Sequence, residues 1–395
     1  MSRRNRVLES SMALYIIVAM TFLAHVGFAG SRVLVALFAV DQGATPFIVG
    51  TVISLYAAVP IVLALPAGRM TDRLGYQIPI LFGTCGICIA LLMAWVWPTM
   101  TTLYFTATLL GISFMAFQIA TQTLVGAMSA PERRANNFNL ISLGFALANF
   151  IGPLLAGILI DQIGHDRTFF ALAMPLVPAI IIAALGSRWI PDVHTKSQQP
   201  SSGSRDLLKI KPLRNAMIAS AIVSSAWDLY QFFMPIYGRA HGLSATEIGF
   251  ILSAFATSII MVRLVLPLGL KRASAAELLT YAMFVACAGY CLFPLFHTVW
   301  TLAIASFILG IGCGCGQPLS LTLVYNASPP GRTGESAGLR ITANQTMHFI
   351  VPLLFGALGS VAGMAAVFFT NAGLLAIGGG FSQRNHATGK TQPPS

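Results

Sequence analysis

The chain has 395 residues, of which 56% are hydrophobic and only 9% charged, and its formal net charge is +11. A soluble globular domain has roughly 25% charged residues, so this composition excludes one and points to a chain whose solvent is largely lipid. A basic excess can mark a nucleic-acid partner. Here the charges fall in short loops between long apolar runs, which reads as membrane orientation and excludes nucleic-acid binding.

Twelve apolar segments are predicted, roughly 12–39, 46–68, 77–97, 99–127, 137–160, 168–189, 213–238, 247–269, 275–295, 299–326, 335–358 and 361–381. Each approaches the length of about 20 residues that a hydrocarbon crossing needs. The basic start, Arg3-Arg4-Asn5-Arg6, followed by the run from Met12, mimics a secretory signal. The run is too long for a signal core, so it is predicted to be an uncleaved first helix. The one long polar stretch, His194 to Arg214, is rich in Ser, Gln, Pro and basic residues and reads as a linker. The expected fold class is therefore all-α integral membrane, with twelve transmembrane helices in two pseudo-symmetric six-helix halves. The N-terminal half spans 1–191, the cytoplasmic linker 192–212 and the C-terminal half 213–395.

The halves resemble each other in sequence. Leu110-Gly111-Ile112 recurs as Leu309-Gly310-Ile311, Gln118 as Gln317, and Thr123-Leu124-Val125 as Thr322-Leu323-Val324. Pro153-Leu154-Leu155 and Gly157 recur as Pro352-Leu353-Leu354 and Gly356. Every pair is 199 positions apart, which identifies an internal duplication. A membrane chain in two like halves is a transporter architecture, with the substrate path between the halves. Placing the N-terminus in the cytoplasm puts 18 of the 23 Lys and Arg on that side and only Arg167 and Arg239 outside. Both termini are thus expected in the cytoplasm, in a multi-pass plasma membrane of the bacterial inner-membrane kind.

After the second segment the chain reads Gly68-Arg69-Met70-Thr71-Asp72-Arg73-Leu74-Gly75, expected as a cytoplasmic loop. This resembles the G-x-L-a-D-R-x-G signature of the major facilitator superfamily (MFS). The chain departs from the family in continuing with Tyr76-Gln77 instead of two basic residues, and the equivalent Gly269-Leu270-Lys271-Arg272 has lost the Asp. The resemblance implies a cytoplasmic latch of Gly68, Asp72, Arg73 and Gly75, in which Asp72 faces a helix N-terminus or an Arg such as Arg340. In the fifth segment, Asn149-Phe150-Ile151-Gly152-Pro153-Leu154-Leu155-Ala156-Gly157 looks like the small-residue and Pro motif of the family's proton-coupled drug exporters. Small residues let helices approach and Pro bends them, so Asn149, Gly152, Pro153 and Gly157 are read as an interface motif. The Arg that many such exporters carry in the fourth helix is absent; Gln118 and Gln122 stand in that segment.

Polar residues inside lipid-spanning helices are expensive and normally face a cavity or a partner. Asp228, in Trp227-Asp228-Leu229-Tyr230-Gln231, is the acid deep in a helix. It is the first candidate for proton coupling or for binding a cationic substrate, against a buried pair that only fixes packing. Arg32 aligns with Gln231 through the repeat and is a candidate cross-half partner for Asp228. His25, seven residues earlier on one helical face with Arg32, is a second proton-active group or a hydrogen-bonded filler. Gln118, Gln122, Trp227, Gln231, Arg263, Gln317, Asn344 and His348 are candidate cavity residues. Cys85 and Cys88 have C-x-x-C spacing with nothing to complete a metal set.

No nucleotide-binding loop, catalytic domain or cofactor motif is present, so the energy source implied is an ion gradient. The function expected is secondary active transport by alternating access, proton-coupled and exporting a small organic molecule. Uptake of a small solute is the alternative, and a non-transporting sensor on the same fold a distant one. Expected partners are the substrate, protons and the bilayer, with the chain a monomer.

Overall fold

Inside a bilayer every backbone N–H and C=O must find its partner within the protein, and a helix does this within one segment. The computed structural model, described over residues 3–129, 134–188, 204–329 and 333–390, is accordingly helical, with no strand among the described residues. The helices are α1 (Arg3–Asp41), α2 (Pro46–Leu74), α3 (Gln77–Val96), α4 (Met100–Met128), α5 (Arg134–Ala173), α6 (Leu176–Ala184), α7 (Lys211–Ala240), α8 (Ala245–Gly269), α9 (Ala275–Leu292), α10 (Val299–Ala327) and α11 (Thr333–Lys390). Nine stretches among the described residues are long and apolar enough to cross a membrane. Positions 189–203, most of the expected linker, lie outside the described residues. The linker's end, Ser204–Lys209, is a 3₁₀ turn that buries Leu207 against Leu213, Met217 and Val324.

Two of these helices are interrupted. α5 breaks at Gly164 (φ 80°, ψ 169°) and α11 at Gly363 (φ 81°, ψ 170°). The predicted segments five and six, and eleven and twelve, are therefore joined without a loop. Positive φ suits glycine alone at low cost, and the two breaks are 199 positions apart, the offset of the sequence repeat. The same offset relates Gly43 (φ 80°) and Gly242 (φ 77°), which close the ends of α1 and α7. One expected loop is different: α2 continues through the signature to Leu74 and ends only at Gly75 (φ 77°). No residue from Gly68 to Leu74 forces the chain out of the helix, whereas Gly75 supplies the left-handed turn.

The chain forms two compact units. Unit 1 comprises Met1–Gly43, Leu55–Gln198 and Ser244–Gly249; unit 2 comprises Ala44–Ser54, Gln199–Leu243 and Phe250–Ser395. In unit 1, α1 packs on α5 and α3 on α4, with α6 against α1 and α3. The α1–α5 contact is close because Gly30 faces Gly152: a Cβ at Gly152 would lie 2.9 Å from the Gly30 nitrogen and from the Val26 carbonyl oxygen. In unit 2, α7 packs on α10 and α11, and α9 on the same two helices. The first turns of α2 and α8 each belong to the unit that does not hold the rest of the helix.

Candidate functional site

Unit 2 carries a ladder of polar side chains between α7 and α11. Asp228 on α7 accepts a hydrogen bond from Nδ1 of His348 on α11. Further along the same two helices, Arg340 donates to Ser220 Oγ at 3.0 Å and to Ser320 Oγ of α10 at 3.3 Å, and Ser220 Oγ lies 3.3 Å from Asn344 Oδ1. The Ser220–Arg340 and Asp228–His348 contacts share one sequence offset of 120 residues. The helices therefore run parallel there, with the rungs about 12 Å apart at 1.5 Å per residue.

The exposure of the rungs is unequal. The Asp228 side chain is 2% exposed and that of His348 29%. An aromatic cluster packs against the same helix as Asp228 through Tyr230. Tyr230 and Phe255 have ring centroids 4.3 Å apart, Phe293 and Phe368 5.2 Å apart, and the Tyr290 hydroxyl donates to the Ala226 carbonyl. An ionised carboxylate in such surroundings costs several kcal/mol unless it is paired. The imidazole supplies that pairing and is itself reachable from outside the core.

The corresponding place in unit 1 is built differently. His25 on α1 is buried among the rings of Phe28 (5.8 Å), Phe114 (5.1 Å) and Phe145 (5.0 Å, edge-on). Phe28 and Phe114 stack 3.8 Å apart, and Ser31 lies 3.4 Å from the Tyr56 hydroxyl. Asn149 donates to the Phe145 carbonyl at 2.9 Å. The region is thus a buried aromatic cluster with a few polar atoms.

The remaining predicted residues are placed as follows. Arg32 is half-buried on α1, Gln118 half-buried and Gln122 exposed on α4. Gln231 is buried, and Trp227 is half-buried with its ring edge-on to Phe255 at 5.1 Å. Arg263 on α8 and Gln317 on α10 are half-buried. The structure brings Asp228, His348, Asn344 and Arg340 into one ladder; these last two and Asp228 were assigned three separate roles from sequence. Gly68, Asp72 and Arg73 have helical backbone, but as site residues they lie outside the described residues, and with them the Asp72 half of the latch. Gly152 of the interface motif faces α1, whereas Gly157 and Pro153 face the first turn of α8. Sequence reasoning missed Ser220 and Ser320, because a serine in an apolar helix commonly bonds back to its own backbone and carries no distinguishing signal.

A helical, internally repeated membrane protein with a buried carboxylate bonded to an imidazole and an aromatic cluster around a buried histidine belongs in the class of polytopic transporters. The sequence profile described as Major Facilitator Superfamily matches residues 17–352 and 216–389. The chain belongs to that family of transporters. An uncharacterized MFS-type transporter of Methanocaldococcus jannaschii is 23% identical over 91% of this chain and 94% of its own length. The multidrug resistance protein MdtG of Citrobacter koseri is 24% identical over 78% of this chain and 77% of its own. Among solved structures, a POT family transporter in complex with a thioalcohol-conjugated peptide superposes with a TM-score of 0.81 at 14% identity, covering 96% of both chains. The nucleoside transporter NupG does so with a TM-score of 0.79 at 13% identity, covering 96% of this chain and 100% of its own. At those identities the structures speak for the fold.

Proposed function

We propose that this protein is a secondary active exporter that exchanges a small organic molecule for protons by alternating access, as a monomer. It would have twelve transmembrane helices in halves 1–191 and 213–395 joined by the 192–212 linker, with both termini in the cytoplasm of a bacterial cell and the chain in its inner membrane. The observation that carries the reading is the contact between buried Asp228 and partly exposed His348. A group that must meet one side of the membrane and then the other needs a carboxylate or imidazole whose protonation changes with access. Similarity to MdtG, which is named a multidrug resistance protein, favours export.

In this reading Asp228 carries the proton and His348 relays it. Arg32 and His25 act as gating residues of unit 1, and Arg32 is the cationic counterpart of the Asp228 charge. Gln118, Gln122, Trp227, Gln231, Arg263, Gln317 and Asn344 supply cavity surface. Gly68, Asp72, Arg73, Gly75 and Arg340 form the cytoplasmic latch, and Asn149, Gly152, Pro153 and Gly157 the close-packed seam of the moving helices. The test uses everted vesicles that overexpress the chain and hold a fluorescent pH probe. They are challenged with lipophilic cations, organic acids and sugars, and Asp228→Asn is run in parallel. Substrate-triggered proton movement that is absent from the variant is expected. Substrate movement indifferent to both pH and the variant would overturn the coupling.

A further inference from the structure

The first turns of α2 and α8 are held by different chemistry, although the two places are related by the repeat. An α-helix begins with backbone N–H groups that have no partner within the helix. In α8 these are Ala245, Thr246 and Glu247. Asp161, near the break in α5, accepts from Ala245 N at 3.1 Å with one carboxylate oxygen and from Thr246 N at 2.7 Å with the other. Ser244 Oγ accepts from Glu247 N at 3.2 Å, and Glu247 returns a bond to Ser244 N at 2.8 Å. Every donor of the turn is thus used, two of them by an anion at the positive end of the helix dipole.

At the related place, α2 begins with Pro46, which has no N–H. Phe47 N donates to Ser360 Oγ of α11 at 3.0 Å, and Ile48 N reaches Thr45 Oγ1 at 3.4 Å. Ser360 is the repeat mate of Asp161, and Pro46 that of Ala245. Two neutral hydroxyls, one of them from α11, serve a turn from which proline has removed one donor. Both seams are otherwise close-packed in the same way. A Cβ at Gly249 would lie 2.7 Å from the Pro153 carbonyl oxygen and one at Gly356 2.9 Å from that of Pro46, while Cβ atoms at Gly157 and Gly50 would collide with the Ala245 and Pro352 carbonyls.

We infer that Asp161 is a positioning residue that clasps α8 to α5, and that the transport cycle parts the α2–α11 seam more readily than the α5–α8 seam. Among the described residues, the α5–α8 seam has two charge-assisted hydrogen bonds, each about twice as strong as a neutral one, and the α2–α11 seam a neutral one from Phe47 N to Ser360. α8 passes from unit 1 at Gly249 into unit 2 at Phe250, so a fastening at its first turn sets where that helix is anchored through the cycle. The inference rests on the alternating-access reading for its consequence, and on the hydrogen bonds alone for the clasp.

The test is distance measurement by paired spin labels on the full chain in lipid nanodiscs. The six native cysteines are replaced by serine, in a background checked to transport as the parent does. One label pair, Gln162→Cys with Ala240→Cys, reports on the α5–α8 side, and another, Gln42→Cys with Val361→Cys, on the α2–α11 side. All four positions are exposed. Asp161→Ala is expected to raise the long-distance population of the first pair about tenfold or more, since a hydrogen bond to a charged group is worth about 1.5–3 kcal/mol. Ser360→Ala is expected to raise that of the second pair about threefold. Asp161→Glu restores the parent distribution in part, which a general loss of folding does not do. Asp161→Ala leaving the first pair unchanged, or widening both pairs equally, would overturn the clasp. Transport that proves uncoupled from any gradient while Asp161→Ala still widens the first pair would remove the exporter reading and leave the clasp standing.

Discussion

The α1–α5 contact of unit 1 and the α7–α11 contact of unit 2 occupy repeat-related positions and do different chemistry. Asp228 and His348 correspond to Ala29 and Asn149, Ser220 and Arg340 to Thr21 and Ile141, and Asn344 to Phe145. The charged and imidazole rungs of unit 2 are replaced in unit 1 by Ala29, Ile141 and the amide of Asn149, beside an aromatic cluster around His25. The two copies share a packing frame, and the buried acid–imidazole contact stands on the copy in unit 2. This division suits a coupled transporter, in which the proton needs a buried, paired acid and an organic substrate needs apolar area with sparse polar anchors.

The comparison breaks first at Asp228. In the proposed mechanism Asp228 carries the proton and Asn cannot, and a positioned proton-transfer group contributes about a hundredfold or more, so Asp228→Asn is expected to lower gradient-driven transport at least about a hundredfold in the vesicle assay. Equal transport would place proton handling elsewhere. His348→Gln keeps a hydrogen-bonding side chain but cannot carry a proton. It is expected to slow coupled transport about tenfold, whereas substrate counterflow at equal pH on both sides persists. The packing frame is tested by Gly152→Ala, which puts a methyl group against the Gly30 nitrogen and the Val26 carbonyl. Overpacking of this kind costs about 1–3 kcal/mol, read as a lower Tm of the purified protein, and an unchanged Tm would mean that the α1–α5 contact yields easily. The smallest effect is expected at His25. His25→Ala should lower transport about threefold while its dependence on pH is retained; loss of the pH dependence would move proton handling into unit 1 and erase the contrast between the units.

Much of this was legible in the chain itself. The 199-residue offset, the Asp72 signature and the Pro153 motif identify the family because they combine residue types that an apolar background rarely repeats in register. Asp228 stands out as a candidate from the sequence because a charge in lipid is costly. Its bond with His348 does not, because the residues lie 120 positions apart and meet only when α7 and α11 pack in parallel. The helical continuation of α2 to Leu74 was missed because the family signature suggested a loop where the local sequence holds no breaker before Gly75. Asp161 drew no notice because an acid just past an apolar run normally faces water. The available signal was its register: it follows Pro153 by eight positions, as Ser360 follows Pro352.

The most direct test of the central claim is proton release on substrate binding. Purified protein in weakly buffered detergent solution, with a pH-sensitive dye, would be titrated with a compound that the vesicle panel identifies as transported. About one proton per chain released by the parent and none by Asp228→Asn is the predicted result, as the proposed exchange at one buried carboxylate requires. Release of the same size from both proteins would contradict the assignment of coupling to the α7–α11 ladder.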